Sequence, residues 1–134
     1  MRFVLIAALL LAAQPLIAPD AEARERGRSY RTTQTGVASF YAKKFHNRRM
    51  ANGERFSIHG TSAASRTLPL GTRVRVTNRS NGRVARVTIR DRGPYRGGRI
   101  LDVSPAVAQR LGFHDQGLAR VTVQVERLPS SHGG

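Results

Sequence analysis

From Gly36 onward the chain alternates apolar and polar residues at the period-two spacing of β-strands. "TRVRVTN", residues 72–78, places Val74 and Val76 on one face and Arg73, Arg75 and Thr77 on the other. "RVARVTIR", residues 83–90, sets Ala85, Val87 and Ile89 against Arg86, Thr88 and Arg90. "ARVTVQVERL" alternates through Val121, Val123 and Val125, while "GVASFYA" and "GRILDVS" are shorter runs of strand length. Asn81-Gly82 separates two of these strands and can take the positive φ values of a tight hairpin turn.

The pattern changes at Ser104-Pro105, which predicts a helix with Ser104 as N-cap and Pro105 as its first residue. Ala106, Val107, Arg110 and Leu111 continue it, and Gly112 can end it in a left-handed conformation. Short alternating strands, one good short helix and glycine-rich connections imply a mainly β fold, either a small closed barrel or a sandwich.

The ends read differently. Met1-Arg2, the apolar run "FVLIAALLLAAQPLIA" and "AEA" at 21–23 have the form of a secretory signal, residues 1–23. Gln14, Pro15 and Asp20 interrupt the run before it reaches the about 20 apolar residues of a membrane span, so no stable membrane anchor is expected. Residues 24–35, "RERGRSYRTTQT", are expected to be a disordered basic linker, residues 36–128 the folded domain, and residues 129–134 a flexible tail.

Charge narrows the partners. The formal net charge is +15, and removing Arg2, Asp20 and Glu22 with the signal leaves 22 basic and 6 acidic residues. Such a field favours a polyanion: nucleic acid, anionic lipid or an anionic cell wall, with nucleic acid the least natural for an exported chain. Cysteine is absent, which excludes disulfides, thiolate metal sites, a cysteine nucleophile and lipid attachment at an N-terminal cysteine.

With eight acids in the chain, each invites a reason. Asp91 ends an alternating strand and opens "DRGP", a position equally suited to a catalytic carboxylate and to an Asx turn. Glu54 follows the Asn52-Gly53 turn between Arg49 and Arg55, which by itself favours a surface ion pair. Asp102 precedes the helix cap by two residues and shares the Ile100 face of its strand, which favours a half-buried structural acid paired with an arginine. Together the three would serve glycosidic cleavage, which needs a proton donor and negative charge beside an oxocarbenium-like centre. Tyr41, Tyr95, Arg66 and Arg92 would suit a sugar strand bearing carboxylates. The four histidines lack paired metal-ligand spacing, and neither G-x-S-x-G nor a phosphate-binding glycine motif occurs. No metal or cofactor is expected.

Three ordered blocks carry a family resemblance: "GVASFYAKKFHNRRMANGERFS", "SAASRTLPLGTRVRVTNRSNGR" and "VTIRDRGPYRGGRILDVSPAVAQRLGF". They resemble the RlpA family, the rare lipoprotein A or septal ring lytic transglycosylases, over about residues 36–128. The resemblance implies a six-stranded double-psi β-barrel with one or two short helices, a fold shared with expansins, barwins and family 45 endoglucanases. It also implies action on peptide-poor peptidoglycan glycan strands in the periplasm, cleaving between N-acetylmuramic acid and N-acetylglucosamine to leave 1,6-anhydromuramyl ends. The alternative it carries is an expansin-like module that binds wall polysaccharide without cleaving it. By position, Asp91 matches the family's acid and base, Glu54 the Glu of its "GE" pattern, and Asp102 the Asp of "DLS", a second choice. Ser65 stands where the family has histidine in "AAHRTLP". Many members carry a lipobox cysteine and a C-terminal SPOR domain; neither is expected here, nor is a lipid anchor, and a soluble monomer is expected.

Overall fold

The computed structural model describes residues 31–130; the expected signal, most of the expected linker and the last four residues lie outside them. Six strands form in chain order: β1 (Thr33–Phe40), β2 (Ser62–Ala64), β3 (Arg73–Asn78), β4 (Val84–Asp91), β5 (Arg99–Val103) and β6 (Ala119–Arg127). One α-helix, α1 (Pro105–Leu111), separates β5 from β6. The strands close into a barrel in the order β1-β5-β2-β4-β3-β6, which leaves no open edge in the ring. The β1–β5 and β2–β4 pairs are parallel and the other four antiparallel.

Alternation sorts the side chains. Val74, Val76, Ala85, Val87, Ile89, Val121 and Val123 point inward and are buried, and the arginines between them are exposed. Leu101 and Val103 of β5, Val107 and Leu111 of α1, and Phe113 complete this core. Each fully buried Val, Leu, Ile or Phe contributes about 1.5–3 kcal/mol relative to exposure.

The helix has both expected caps. Ser104 Oγ accepts from the Val107 amide at 3.1 Å, and Gly112 adopts φ 80°. The positive φ favours glycine at 112, and a Cβ there would stand 2.7 Å from Asn81 Nδ2 and displace that side chain. Asn78 and Asn81 each donate a side-chain hydrogen bond to the Leu111 carbonyl, tying the β3–β4 turn to the end of α1.

Three details differ from the sequence pattern. β1 starts at Thr33, ahead of the expected boundary at Gly36, because Thr33, Gln34 and Thr35 pair with Gln124, Val123 and Thr122 of β6. β2 carried no strand signal: it is three residues long, fully buried and made of Ser and Ala, so it has no polar face to alternate. The β3–β4 turn is wider than a two-residue Asn81-Gly82 hairpin. Gly82 has positive φ but Asn81 does not, and the Asn81 side chain serves Leu111 and the Arg83 amide instead.

Candidate active site

Strand β2 is short, but it lies between the strands that carry the two conspicuous acids. Ala64 is the register partner of Asp102 on β5 and of Asp91 on β4. Adjacent strands lie about 4.8 Å apart, so the two acidic α-carbons are separated by about 10 Å, with Ala64 on the strand between them.

Each carboxylate is held by β1 or the residue that follows it. Ser39 is the register partner of Asp102 across the parallel β1–β5 pair, and its hydroxyl donates to Asp102 Oδ1 at 2.5 Å. Tyr41 donates its hydroxyl to Asp91 Oδ2 at 2.7 Å, and the Ala51 amide donates to Asp91 Oδ1 at 2.8 Å. The Tyr41 ring stacks on Phe56 with centroids 4.1 Å apart, in a second apolar cluster with Met50 and Ala64.

That cluster anchors the long β1–β2 connection. Its backbone folds back on itself through Asn47 N to Phe56 O, Phe56 N to Arg48 O and Met50 N to Glu54 O. Asn47 takes the left-handed φ of 69° that this reversal requires, an angle asparagine tolerates better than most residues. Asn52 N then bonds to Arg90 O, bringing the Ala51 amide to the end of β4 where Asp91 lies.

Burial separates the titrating groups from their ordinary behaviour. Desolvation pushes the Tyr41 phenol far above its usual range, and the hydrogen bond and negative charge of Asp91 push it further. Desolvation also raises Asp102; its Ser39 bond and the positive charges of Arg99 and Arg96 work against that rise, while Asp91 adds to it. Asp102 therefore retains its proton to higher pH than an exposed aspartate.

The acids open into a groove of about 730 Å³. Six cations line it: Lys44, Arg48, Arg49, Arg92, Arg96 and Arg99. Phe40, Phe45 and Tyr95 add aromatic surface, and Tyr95 is 77% exposed over Gly93. A cationic, partly aromatic groove with two acids in its floor suits an anionic sugar polymer better than a neutral one.

The sequence-predicted residues divide accordingly. Asp91, Asp102, Tyr41, Arg92 and Tyr95 line the groove together. Arg92 is engaged as a clamp, its guanidinium donating to the carbonyls of Ser65 and Leu68. Arg66 does not line the groove and donates to the Arg99 carbonyl. Ser65 does not line it either: it is 1% exposed, and its Oγ accepts from the amides of Thr67 and Leu68. Glu54 is also outside the lining, with a side chain 65% exposed and 3.7 Å from Arg90 Nε, so its ion partner is Arg90 rather than Arg49 or Arg55. Asp102 finds Ser39, not an arginine, as its hydrogen-bond partner, because the parallel register sets that hydroxyl beside it.

Sequence reasoning missed Ser39 and the Ala51 amide. Ser39 is a buried polar residue within the apolar β1 run, which was its only signal. The Ala51 amide had no signal at all, since any residue supplies one. Among the described residues no group of three or more His, Cys, Asp or Glu side chains could hold a metal.

A closed ring of six strands, two of its pairs parallel and four antiparallel, with an acid-lined groove at β2, is a double-psi β-barrel. The chain belongs to the lytic transglycolase family, whose model matches residues 33–123. It is 50% identical over 92 residues to the endolytic peptidoglycan transglycosylase RlpA of Neisseria meningitidis, covering 69% of this chain and 38% of that protein. It is also 50% identical over 90 residues to the probable endolytic peptidoglycan transglycosylase RlpA of Synechocystis sp., covering 67% of this chain and 28% of that protein. The chain thus spans well under half the length of these relatives. An apo expansin from Clavibacter michiganensis has the same fold, with TM-score 0.56 and 21% identity over 73% of this chain and 52% of that one.

Proposed function

We propose that the barrel is a lytic transglycosylase that cleaves the linkage between N-acetylmuramic acid and N-acetylglucosamine in peptidoglycan glycan strands. The observation that carries this reading is the placement of Asp91 and Asp102 opposite the same residue, Ala64, in the floor of a cation-walled groove. The relatives' names point to the same substrate. An exported chain acting in the periplasm fits that substrate.

The two acids suit different roles. Asp102, whose affinity for a proton burial raises, donates one to the glycosidic oxygen as the C1–O bond breaks and the N-acetylglucosamine end leaves. The muramyl C1 becomes oxocarbenium-like, and its own C6 hydroxyl closes on it to form the 1,6-anhydro ring. Both oxygens of Asp91 accept hydrogen bonds, the arrangement of an acceptor carboxylate, so Asp91 steadies the positive centre and takes the C6 hydroxyl proton. The proton then returns from Asp91 to Asp102 through solvent, and no water is consumed. The family resemblance casts Asp91 as acid and base alike; here it keeps the base role. Glu54 acts from outside the groove, holding Arg90 beside Asp91. The wall cations meet the lactyl carboxylates of the strand, and Tyr95 offers a ring to a sugar face.

The test is incubation of the protein with peptide-free glycan strands and mass spectrometry for 1,6-anhydromuramyl ends. Product that disappears in Asp91→Asn and Asp102→Asn supports the assignment. Co-sedimentation with the strands and no product would make the domain a polysaccharide-binding module.

A further inference from the structure

The wall of the barrel centred on β3, across from β5, has a charge pattern that glycan cleavage does not use. In the closed ring β5 and β3 are three strands apart in either direction, so β3 lies diametrically across from the strand that bears Asp102. The outer face of β3 and its neighbours is dominated by arginine. Arg73 is the register partner of Arg127 on β6, and Arg75 the partner of Arg86 on β4. Arg79, Arg83 and Arg120 are exposed at the far end of the same wall, where the Arg79 amide bonds to the Arg120 carbonyl.

Like charges directly opposite each other across a strand pair destabilise a sheet. Glu126 relieves Arg86, at 2.9 Å. Arg73, Arg75 and Arg127 are exposed and make neither an ion pair nor a side-chain hydrogen bond among the described residues. The wall is also without an aromatic ring: β3 reads "RVRVTN", β4 "VARVTIRD" and β6 "ARVTVQVER". Sugars and unpaired bases are commonly gripped by stacking on such rings, and the groove has them where this wall has none. Guanidinium groups without aromatics match phosphate, which they bind through paired N–H donors.

We propose that this wall docks on an anionic phospholipid surface through Arg73, Arg75 and Arg127, with Arg79, Arg83 and Arg120 extending the contact. No apolar side chain enters the bilayer. Because β3 and β5 are opposed, docking turns the Asp102 side of the groove away from the lipid. The inference stands apart from what the groove cleaves.

The experiment is sedimentation of the full chain with vesicles of zwitterionic phosphatidylcholine and with vesicles containing phosphatidylglycerol. The reading is the difference between the two, which removes any contribution from the apolar N-terminal run. Binding should be stronger to the anionic vesicles and should weaken as salt rises. Each arginine near such a surface contributes about fivefold in partition, so replacing Arg73, Arg75 and Arg127 with glutamine should weaken the anionic preference roughly a hundredfold. Replacing Arg48 and Arg49 of the groove with glutamine should leave it nearly unchanged. Equal binding to both vesicle types, or an anionic preference that survives the triple replacement, overturns the proposal. So does binding to soluble polyphosphate or peptidoglycan sacculi that depends on the three arginines while vesicle binding does not.

Discussion

Asp91 and Asp102 both face Ala64, one from each side of β2, so the smallest strand of the barrel sets the spacing of its two groove acids. Neither acid lies on a flexible tip. Asp91 ends a strand paired on both sides, and Asp102 lies within β5. Rigid strands keep such a constellation in place more tightly than loops do.

Asp91→Asn should reduce formation of anhydromuramyl ends by at least roughly a hundredfold, the scale of a lost general base. The asparagine carbonyl can still accept from Tyr41 or Ala51, so circular dichroism and melting should show a folded barrel. Retained cleavage in this variant would remove Asp91 from the chemistry.

Asp102 gives a pH prediction with a definite sign. Its folded-state affinity for the proton is raised above that of the unfolded chain, whose aspartates titrate near about 3.9. At pH below that value both states are protonated and Asp102 contributes no difference. As pH rises, the unfolded state loses its proton first, so stability falls until the folded-state acid has also ionised. Asp102→Asn should therefore melt higher than the native chain at neutral pH, with the gap closing in acid. Cleavage by the native chain should decline as pH rises through the same titration.

Tyr41→Phe keeps the ring stack on Phe56 and removes the donor to Asp91. A hydrogen bond to a charged group is worth about 1.5–3 kcal/mol. We expect turnover to fall by roughly ten- to a hundredfold with little change in KM, measured on purified glycan strands. A change confined to KM would give Tyr41 to substrate binding instead.

Ser65→Ala removes an acceptor for the amides of Thr67 and Leu68. The cost should be about 0.5–2 kcal/mol, as for a lost helix cap, seen as a lower melting temperature. The cleavage rate per folded molecule should not change. A large loss of rate at unchanged stability would return Ser65 to the reaction.

Phe56→Ala should be far more damaging, about 3–5 kcal/mol for a fully buried ring. Both Tyr41 and the loop that presents the Ala51 amide rest on it, so chemical denaturation and turnover should fail together.

Alternation made β3, β4 and β6 legible because each has one wet face and one dry face, while β1 and β5 were legible as short apolar runs of strand length. The serine–proline start and glycine end of α1 were legible because capping chemistry is local. β2 was not, since a strand buried on both sides and built from small residues has no period to detect. The same difference separates the acids. Asp91 and Asp102 stood out because carboxylates are scarce in this chain, but their relation through Ala64 belongs to the ring order, which no local window contains. Glu54 matched a pattern along the chain and Ser65 departed from one, and the structure sets both outside the groove lining.

The ring order also constrains how the barrel comes into being. β1 has β5 on one side and β6 on the other, with Val37 opposite Arg99 and Gly36 opposite Val121. The first strand therefore acquires its neighbours only after almost the whole domain is available. Pairings so distant along the chain make folding slow compared with a helical bundle of equal size. They also make it nearly all-or-none: a chain cut before Ala119 leaves β1 and β3 each with an unpaired edge. The domain is thus suited to being handled as an extended thread and closing late, in one step, once its last strand is free.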